Sequence, residues 1–569
     1  MKKICTTIIS LKFFGSLVFT QLAEFSHNLN RRISKMKKLI TTIISLMFFG
    51  NLVFAQLTEF SQGDILSAGA MNQNFKYLEK RFGGIRETTV NCGTSGTGSG
   101  INSAIQNGYN SIVINGICKE NIKLNGREGN TRLLKLRGAN NNASQDKIID
   151  NSDYTEHVLT FNYGGMLVTI DNLTISGGDR GITTWSNINL RIINSKVEGY
   201  KNRGINLQGG SVMDGENLTI DGSYSGATTE EQGLKMWGGA VAYVKNLTIT
   251  NNQKFGLRLG LSDIETVGNV ILTGNGRAIS VEKGTAFTSG ANINISGSTD
   301  QAISVSQGLF QTWDGTISIT DTSGNIFNAW MSNINIKNLT AIGDGSTEKS
   351  LVEINESFSF FENLNISNSG GDGIESSSSV IYIDNLTSKN NNDDGIDGYR
   401  TNLTVNNSTI SDNNGNGIEL NFMSNLRLNS STISSTTDSC IFASRGSFFD
   451  IAGTSVISST NKEAIKIDHY SSGRIRSGAQ VTSTASNKGW GVWIRKGGLI
   501  EINSGSTIAG NSSAESIHGE LGAKIDIDYG ATVQSVLCGN DNQTMVILNG
   551  SSGNYPSPTI GSNCITVKY

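Results

Sequence analysis

Acidic residues recur at matching positions in three consecutive phrases of the sequence, GGDGIE, NDDGID and NGNGIEL. The residue that follows the isoleucine of each phrase is a carboxylate: Glu375, Asp397 and Glu419. If the phrases form neighbouring strands, these like charges stand about 4.8 Å apart, which raises their pKa values or requires a cation. Carboxylate oxygens are the ligands that Ca²⁺ prefers, so we predict these residues as calcium ligands. The sequence indicates no other cofactor.

A second group of ionisable residues surrounds the same phrases. Carboxylates precede the glycine of the first two phrases and an arginine follows the second: Asp372, Asp393, Asp394 and Arg400. Crowded carboxylates with perturbed pKa values are candidates for proton transfer, so we predict a candidate catalytic group here. The alternative is a solvated strand surface with no chemistry of its own.

Aromatic residues occupy a further position that should face outward from the same strands. They are Trp185, Trp237 and Tyr399, in a wall rich in Gly, Ser and Thr. Exposed aromatic faces of this kind are typical of surfaces that stack on sugar rings. Two repeats separate Trp185 from Trp237, a distance of about 10 Å if the repeats stack as strands. We predict these three residues as contacts for a polysaccharide.

The composition restricts the elements that can position these side chains. The chain has 569 residues, with 67 Gly and only 2 Pro, and it is rich in Asn, Ser, Thr and Ile. It lacks the Ala, Leu, Glu and Lys that a helical protein needs, yet its aliphatic residues are too regularly spaced for a disordered chain. An all-β protein of many short strands is what this composition predicts.

A repeat of about 24 residues organises the chain. Each unit has an Asn-rich strand, a polar turn, a small residue and then an aliphatic residue. The aliphatic residues are Ile182, Ile205, Leu234, Leu257, Ile279, Ile303, Ile326, Val352, Ile374, Ile396, Ile418, Ile441, Ile465, Val492 and Ile517. The period predicts one coil of a right-handed parallel β-helix, with three strands per coil and Asn ladders at the turns. A β-sandwich, with hairpins and no fixed period, is the alternative.

The N-terminal region predicts export. Residues 1–26 and 36–61 are similar, and each has a lysine pair, a short apolar stretch and small or polar residues after it. This is the anatomy of a signal peptide. We predict residues 1–35 as a duplicated signal-like segment and 36–55 as the signal peptide, with an uncleaved anchor as the alternative. The mature chain is predicted to be secreted or on the cell surface, with no membrane span.

Residues 56–87 are predicted to be helical. Apolar residues follow a spacing of three and four: Ala68, Met71, Phe75, Leu78 and Phe82. This spacing predicts a short coiled coil that forms a homotrimer or docks on a partner. A helix packed on the side of the β-helix is the alternative.

The cysteines mark the two ends of the β region. We predict the β-helix over residues 88–535 and a cap over 536–569, with disulfides that join Cys92 to Cys118 and Cys538 to Cys564. INSAIQNG at residues 101–108 is predicted to be a short helix that closes the first end. Cys440 stands where other repeats carry Gly or Ala, which indicates a buried small residue.

The repeat phrases resemble the pectate-lyase-like right-handed β-helix proteins over about residues 88–535. The three acidic phrases are similar to the three successive motifs of polygalacturonase-type glycoside hydrolases, although Asn416 stands where that family has histidine. The resemblance implies that Asp372 matches the first acid and that Asp393 and Asp394 match the central pair. In an enzyme of this kind, Asp394 would be the general acid, and Asp372 or Asp393 the base or a calcium ligand.

Charge and motifs exclude several functions. The formal net charge is -3, so no nucleic acid partner is expected. The sequence has no phosphate-binding loop or dinucleotide fingerprint, which argues against nucleotide binding, and no GxSxG phrase, which argues against a serine hydrolase of that type. We predict a secreted or surface-associated protein that binds extracellular polysaccharide or a cell-surface glycan, or mediates attachment. The alternatives are a hydrolase or lyase acting on an acidic polysaccharide, and a structural trimeric fibre.

Overall fold

The computed structural model describes residues 84–569, apart from residues 127–131, 225, 227–228, 321, 323, 347, 435, 487, 512–514, 541–542 and 551–555. The two signal-like segments and the apolar stripe of residues 68–82 lie outside the described residues. Signal cleavage and assembly into a trimer therefore stay predictions.

Each coil contributes strands to two sheets, which we name the front sheet and the back sheet. In one coil, strand Ile374–Ser377 belongs to the front sheet, and strands Val380–Asp384 and Leu386–Lys389 belong to the back sheet. Along each strand buried and accessible residues alternate, because successive side chains point to opposite faces. The apolar side chains of both sheets therefore share one interior.

Among the described residues the front sheet has nineteen strands and the back sheet has 33. The front-sheet strands are Ile122–Asn125, His157–Asn162, Arg180–Thr184, Arg203–Gln208, Gln232–Trp237, Phe255–Gly260, Arg277–Glu282, Ile303–Ser306, Phe327–Trp330, Val352–Asn355, Ile374–Ser377, Ile396–Tyr399, Ile418–Asn421, Ile441–Ala443, Ile465–Ile467, Val492–Ile494, Ile517–Gly519, Ser535–Cys538 and Thr559–Ile560. The back-sheet strands are Glu87–Gly98, Ser111–Lys119, Leu133–Gly138, Lys147–Ile149, Leu167–Asp171, Thr174–Ser176, Asn189–Ile193, Lys196–Glu198, Val212–Asp221, Val241–Thr250, Asp263–Thr273, Ala286–Ser289, Asn292–Ser296, Leu309–Thr312, Ile317–Thr320, Asn333–Ile342, Phe358–Ser367, Val380–Asp384, Leu386–Lys389, Asn402–Asn406, Thr409–Ser411, Asn425–Asn429, Thr432–Ser434, Phe448–Ala452, Val456–Ser459, Ser472–Ile475, Gln480–Ser483, Leu499–Ile502, Thr507–Ala509, Lys524–Asp528, Thr532–Val533, Met545–Asn549 and Ile565–Lys568.

The strands pair in parallel, each with its counterpart in the next coil. Ile374 pairs with Ile396, and Ile396 pairs with Ile418. A sandwich would join consecutive strands as antiparallel hairpins, which this register excludes. The predicted all-β parallel solenoid and its period are confirmed.

One position of the predicted repeat is wrong by a single residue. Ile303 pairs with Phe327, and Phe327 pairs with Val352, so Phe327 rather than Ile326 is the inward residue of its coil. Ile326 is also fully buried, but it holds the position that is small in most other coils. Two adjacent apolar residues left the register ambiguous, and a slip of one residue exchanges the two faces of a strand.

Phenylalanine rings from neighbouring coils contact one another inside the β-helix. Phe287 stacks on Phe310 with ring centroids 4.7 Å apart, and Phe310 meets the edge of Phe327 at 5.8 Å. Phe327 in turn lies 6.4 Å from Phe361. All four side chains are fully buried, so they form part of the core that stacking of the coils creates.

Asparagine side chains connect successive turns. The amide of Asn252 donates a hydrogen bond to Oδ1 of Asn275 at 2.9 Å, and Asn391 donates to Asn413 at 2.9 Å. Asn252 and Asn391 are almost completely buried, so the amide group of each needs such a partner. The predicted amide ladders are confirmed at these turns.

In most coils a small residue precedes the inward apolar residue, and packing leaves no room for a larger one. A Cβ atom on Gly395 would lie 2.5 Å from Cγ2 of Ile410 and 2.6 Å from the carbonyl oxygen of Gly417. Cys440 occupies the same position in its coil, where it is a buried free thiol. Burial raises the pKa of Cys440 to about 12, which makes the thiol unreactive and confirms its prediction as a buried small residue.

Both predicted disulfides are present near the ends of the β-helix. Cys92 is bonded to Cys118, and Cys538 is bonded to Cys564. The predicted short helix forms over Ile101–Gln106, with Ile101, Ala104 and Ile105 buried against the first coils. No helix in the described part of the chain has the length and apolarity to cross a membrane.

Candidate functional site

The residue that follows the inward aliphatic residue forms a column on the outer face of the front sheet, which we name the first outward column. Glu353 pairs with Glu375, Glu375 with Asp397, and Asp397 with Glu419. The structure therefore brings the three predicted calcium ligands together and adds Glu353 as a fourth acid. The amide of Asn328 donates to Glu353 at 2.8 Å, so this fourth carboxylate is anchored to the neighbouring coil.

The acids that precede the glycine are linked through the backbone. The N–H of Asp394 donates to Oδ1 of Asp372 at 2.9 Å, and the N–H of Asn416 donates to Oδ1 of Asp394 at 2.5 Å. The hydroxyl of Ser350 is within 3.3 Å of Asp372 and 3.1 Å of Glu375. We name Asp372, Glu375, Asp393, Asp394, Asp397 and Glu419 the acidic cluster.

Burial perturbs three members of the acidic cluster. It raises the pKa of Asp394 to about 9, with the charge of Glu419 as the next cause. Burial likewise raises the pKa of Asp397 to about 7 and that of Asp372 to about 6, and neighbouring carboxylates add to both shifts. Within the described residues no lysine or arginine forms an ion pair with the acidic cluster, so its charges are not compensated by the chain itself.

The acidic cluster has a donor set that fits a hard cation. Asp372, Asp393 and Asp394 each offer a carboxylate oxygen, and these oxygens lie within 4.8 Å of one another. Ca²⁺ takes such oxygens as ligands. Glu419, in contrast, accepts hydrogen bonds from the amides of Asn416 and Asn421 at 2.8 and 2.5 Å. The calcium set of Glu375, Asp397 and Glu419 stays a prediction, and the closest oxygens belong to the other three acids.

Arg400 lies beside the acidic cluster in sequence but contacts an aromatic ring. Its guanidinium carbon is 5.0 Å from the centroid of the Tyr399 ring. Tyr399 also contacts Phe422, with ring centroids 4.7 Å apart. Arg400 makes no ion pair with the acidic cluster among the described residues, and its role in catalysis stays a prediction.

The aromatic residues lie in a second outward column, two residues beyond the first. Trp237 pairs with Gly260, and its ring covers this glycine so closely that a Cβ atom there would collide with it. Trp185 is 40% exposed at the equivalent place in an earlier coil. Tyr399 belongs to the same column three coils after Trp330, which is 42% exposed.

Sequence reasoning missed Trp330 and Glu353. The second outward position lies three residues after the inward residue. Counting from Ile326 gives Ala329 at this position, whereas the observed inward residue, Phe327, gives Trp330. Glu353 follows Val352, which was placed correctly, so the acidic column could have been extended by one coil from the sequence.

Comparison with known proteins identifies the fold. A family model described as a right handed beta helix region matches residues 157–328 and 350–512, more than half of the chain. Two similar solved structures are A-modules of mannuronan C-5 epimerases of Azotobacter vinelandii. The AlgE4 module is 12% identical, with 79% of this chain and 100% of that chain covered and a TM-score of 0.19. The AlgE6 module is 11% identical, with 84% and 99% covered and a TM-score of 0.18. Likeness at these levels carries no argument about function, and no curated protein sequence matches the chain.

Proposed function

The chain belongs to the right-handed β-helix family, and we propose that its front sheet binds an extracellular polysaccharide or a cell-surface glycan. The observation that carries the proposal is the second outward column, where Trp185 and Trp330 are 40% and 42% exposed on the same face. A planar indole with one open face is suited to stacking on a sugar ring, because it buries apolar area without leaving a polar group unpaired.

The surroundings of Trp330 support this proposal. Its neighbours in the column are Ser306 and Asn355, short polar side chains that leave the indole accessible. Serine and asparagine offer donors and acceptors for sugar hydroxyl groups. A polymer along the column would meet an aromatic platform flanked by hydrogen-bonding side chains.

The two disulfides support export. Disulfides persist in oxidising surroundings outside the cytosol, and here one lies near each end of the β-helix. We therefore propose that the protein is secreted or displayed on the cell surface. Its partner would then be a glycan of the surroundings or of another cell.

Replacing Trp330 by alanine tests the binding proposal. We expect Trp330→Ala to weaken retention in affinity gels by about three- to tenfold, since the stacking contact is lost. The gels contain soluble polysaccharides of plant, algal or bacterial origin, one polymer per gel. Trp313→Ala is the matched control, because Trp313 is 38% exposed and follows a back-sheet strand. Equal losses in both variants, or no retention in any gel, would contradict the proposal.

Cleavage of the bound polysaccharide is a second candidate function, which one observation favours. Asp397 is half-buried on the outer face, and its pKa of about 7 is that of a proton donor near neutral pH. Glu375 is its neighbour one coil away, so a second carboxylate stands beside it on the same face, as a glycosidase requires. The substrate would be a polysaccharide whose glycosidic oxygen reaches Asp397.

Release of new chain ends tests the second candidate. We expect Asp397→Asn to lower release by about a hundredfold or more, because general acid catalysis contributes about 10²- to 10⁴-fold. Activity of the unaltered protein should fall as the pH rises above 7, where Asp397 loses its proton. Asp384→Asn, on the back sheet, is the matched control. Folded protein that releases no ends from any polymer would reject catalysis and leave the binding proposal standing.

A further inference from the structure

The outer face of the front sheet carries a group of cations several coils before the acidic cluster. Arg180 pairs with Arg203 in adjacent strands, and the first outward column continues from Asn206 to Lys235 and Arg258. Positive side chains therefore extend over four consecutive strands of one face. Like charges so placed repel unless an anion lies between them.

Two of these cations have no carboxylate partner among the described residues. Arg258 is paired with Glu282 at 3.1 Å and Arg180 approaches Asp179 at 3.5 Å. Arg203 makes no ion pair there, and its Nη1 donates a long hydrogen bond of 3.4 Å to Oδ1 of Asn206. Lys235 likewise makes no ion pair there, and its Nζ lies 5.8 Å from the centroid of the Trp237 ring.

The electrostatics agree with an uncompensated cluster. Burial lowers the pKa of Lys235 to about 8, and the charges of Arg203, Arg258 and Arg180 lower it further, while Glu282 opposes them. Burial and the charges of Arg180 and Arg258 also lower the pKa of Arg203, while the charges of Asp179 and Glu230 partly oppose them. An anion that binds here would relieve this repulsion and gain strength from the partly desolvated surroundings.

Unpaired polar atoms form the floor beneath the cations. Thr183 and Asn206 are neighbours in the first outward column, yet both are fully buried. Among the residues that the structure describes, Oγ1 of Thr183, Nδ2 of Asn206 and Nη1 of Arg180 have no hydrogen-bond partner. Buried polar atoms are normally satisfied, so donors left open on the outer face point to a missing acceptor.

A cavity of about 330 Å³ lies at the strand before this floor. Its lining includes Lys123, Thr160, Trp185 and the acidic residue Glu156. Thr160 pairs with Thr183, so the cavity and the floor belong to adjacent strands. Trp185, which lines the cavity, follows Thr183 by two residues on the same strand face.

We propose that Arg180, Arg203, Lys235, Thr183 and Asn206 form an oxyanion site for a carboxylate or sulfate substituent of a glycan whose ring stacks on Trp185. The inference rests on the proposed function, since it names the substrate class of the same face. The ligand class follows from the chemistry of the five residues, because Arg180, Arg203, Lys235 and the amide nitrogen of Asn206 are cations or hydrogen-bond donors, and both substituents are acceptors. Among the described residues, Oε1 of Gln232 is an open acceptor beside Arg203, which suits the hydroxyl groups of the same sugar.

Three cellulose derivatives with the same backbone test whether an anionic substituent on the polymer increases binding. The full-length protein is run in affinity gels of hydroxyethyl cellulose, carboxymethyl cellulose and cellulose sulfate, which present neutral, carboxylate and sulfate groups. We expect Arg203→Gln/Lys235→Gln to reduce retention by the preferred anionic polymer at least about tenfold, and by the neutral polymer not at all. The anionic polymer that retains the unaltered protein more strongly identifies the substituent that the site prefers.

Arg427→Gln/Lys389→Gln is the matched control, since it removes the same charges from back-sheet strands. If the control variant loses as much retention as Arg203→Gln/Lys235→Gln, the effect comes from net charge alone and the proposal is overturned. Binding of single-stranded DNA as tight as binding of the anionic polymer would overturn it for the same reason. Equal retention of the unaltered protein in neutral and anionic gels would also overturn it, with the binding proposal intact.

Monosaccharides test the site without any polymer. We expect glucuronate or glucose sulfate to raise Tm of the unaltered protein above the effect of glucose at equal ionic strength, and this difference to vanish in Arg203→Gln/Lys235→Gln. No difference in the unaltered protein would overturn the oxyanion site. A difference without retention in any gel would keep the site and reject the polysaccharide function.

Discussion

Replacing Asp394 by asparagine is expected to raise Tm at pH 8 and to flatten the dependence of stability on pH. Asp394 is 5% exposed, and burial raises its pKa to about 9. In the unfolded chain the same carboxyl group titrates near pH 3.9. The folded protein therefore binds the proton more tightly, so the stability from this group is fully present below about pH 4 and is lost as the pH rises toward 9.

The expected size of this effect is large because the group is almost completely buried. One pKa unit corresponds to about 1.4 kcal/mol, so the penalty at pH 8 is on the order of several kcal/mol. Asparagine carries no charge, and its carbonyl oxygen can still accept the N–H of Asn416 that Asp394 accepts. The variant should consequently unfold several degrees higher than the unaltered protein at pH 8, with little difference at pH 4.

Thermal unfolding between pH 4 and pH 9 measures this prediction. Asp397 and Asp372 also have raised pKa values, so some slope should remain in the variant. Asp384→Asn is the matched control on the back sheet and should keep the full slope. Parallel curves for the unaltered protein and Asp394→Asn would show that this carboxyl group does not retain its proton in the folded state.

Replacing Phe327 by alanine is expected to destabilise the β-helix by about 3–5 kcal/mol. The ring is fully buried between the edge of Phe310 and the ring of Phe361, with centroids 5.8 and 6.4 Å away. Truncation leaves a cavity that these rings cannot fill, because the spacing of the coils is fixed by the parallel strand ladder. Phe327→Leu keeps much of the volume and should cost less.

Chemical denaturation with hydrogen exchange of the neighbouring coils measures this cost. Each coil contacts mainly its neighbours, so the loss of protection should centre on strands Ile303–Ser306 and Val352–Asn355. Trp330→Ala is the control from the same strand, because its ring is 42% exposed and should change stability by less than about 1 kcal/mol. A larger cost for Trp330→Ala than for Phe327→Ala would contradict the register.

The sequence alone determined the architecture, because a coil interacts chiefly with the coil before and after it. The aliphatic residue, the small residue before it and the Asn turns recur in most units, so local signals were enough to predict a parallel β-helix. The same spacing allowed Cys92 and Cys118 to be paired correctly, and Cys440 to be placed in the core. It also placed Glu375, Asp397 and Glu419 in one column.

Only the tertiary structure decided which side chains are exposed and what they meet. Ile326 and Phe327 are both apolar, and the pairing of three coils was needed to show that Phe327 points inward and Trp330 outward. The proton affinity of Asp394 depends on its burial, which no spacing in the sequence reveals. Arg203 and Lys235 come from different coils, and their lack of carboxylate partners among the described residues is a property of the assembled face. The period follows from neighbouring residues, whereas charge compensation and desolvation follow from the complete three-dimensional surroundings of each group.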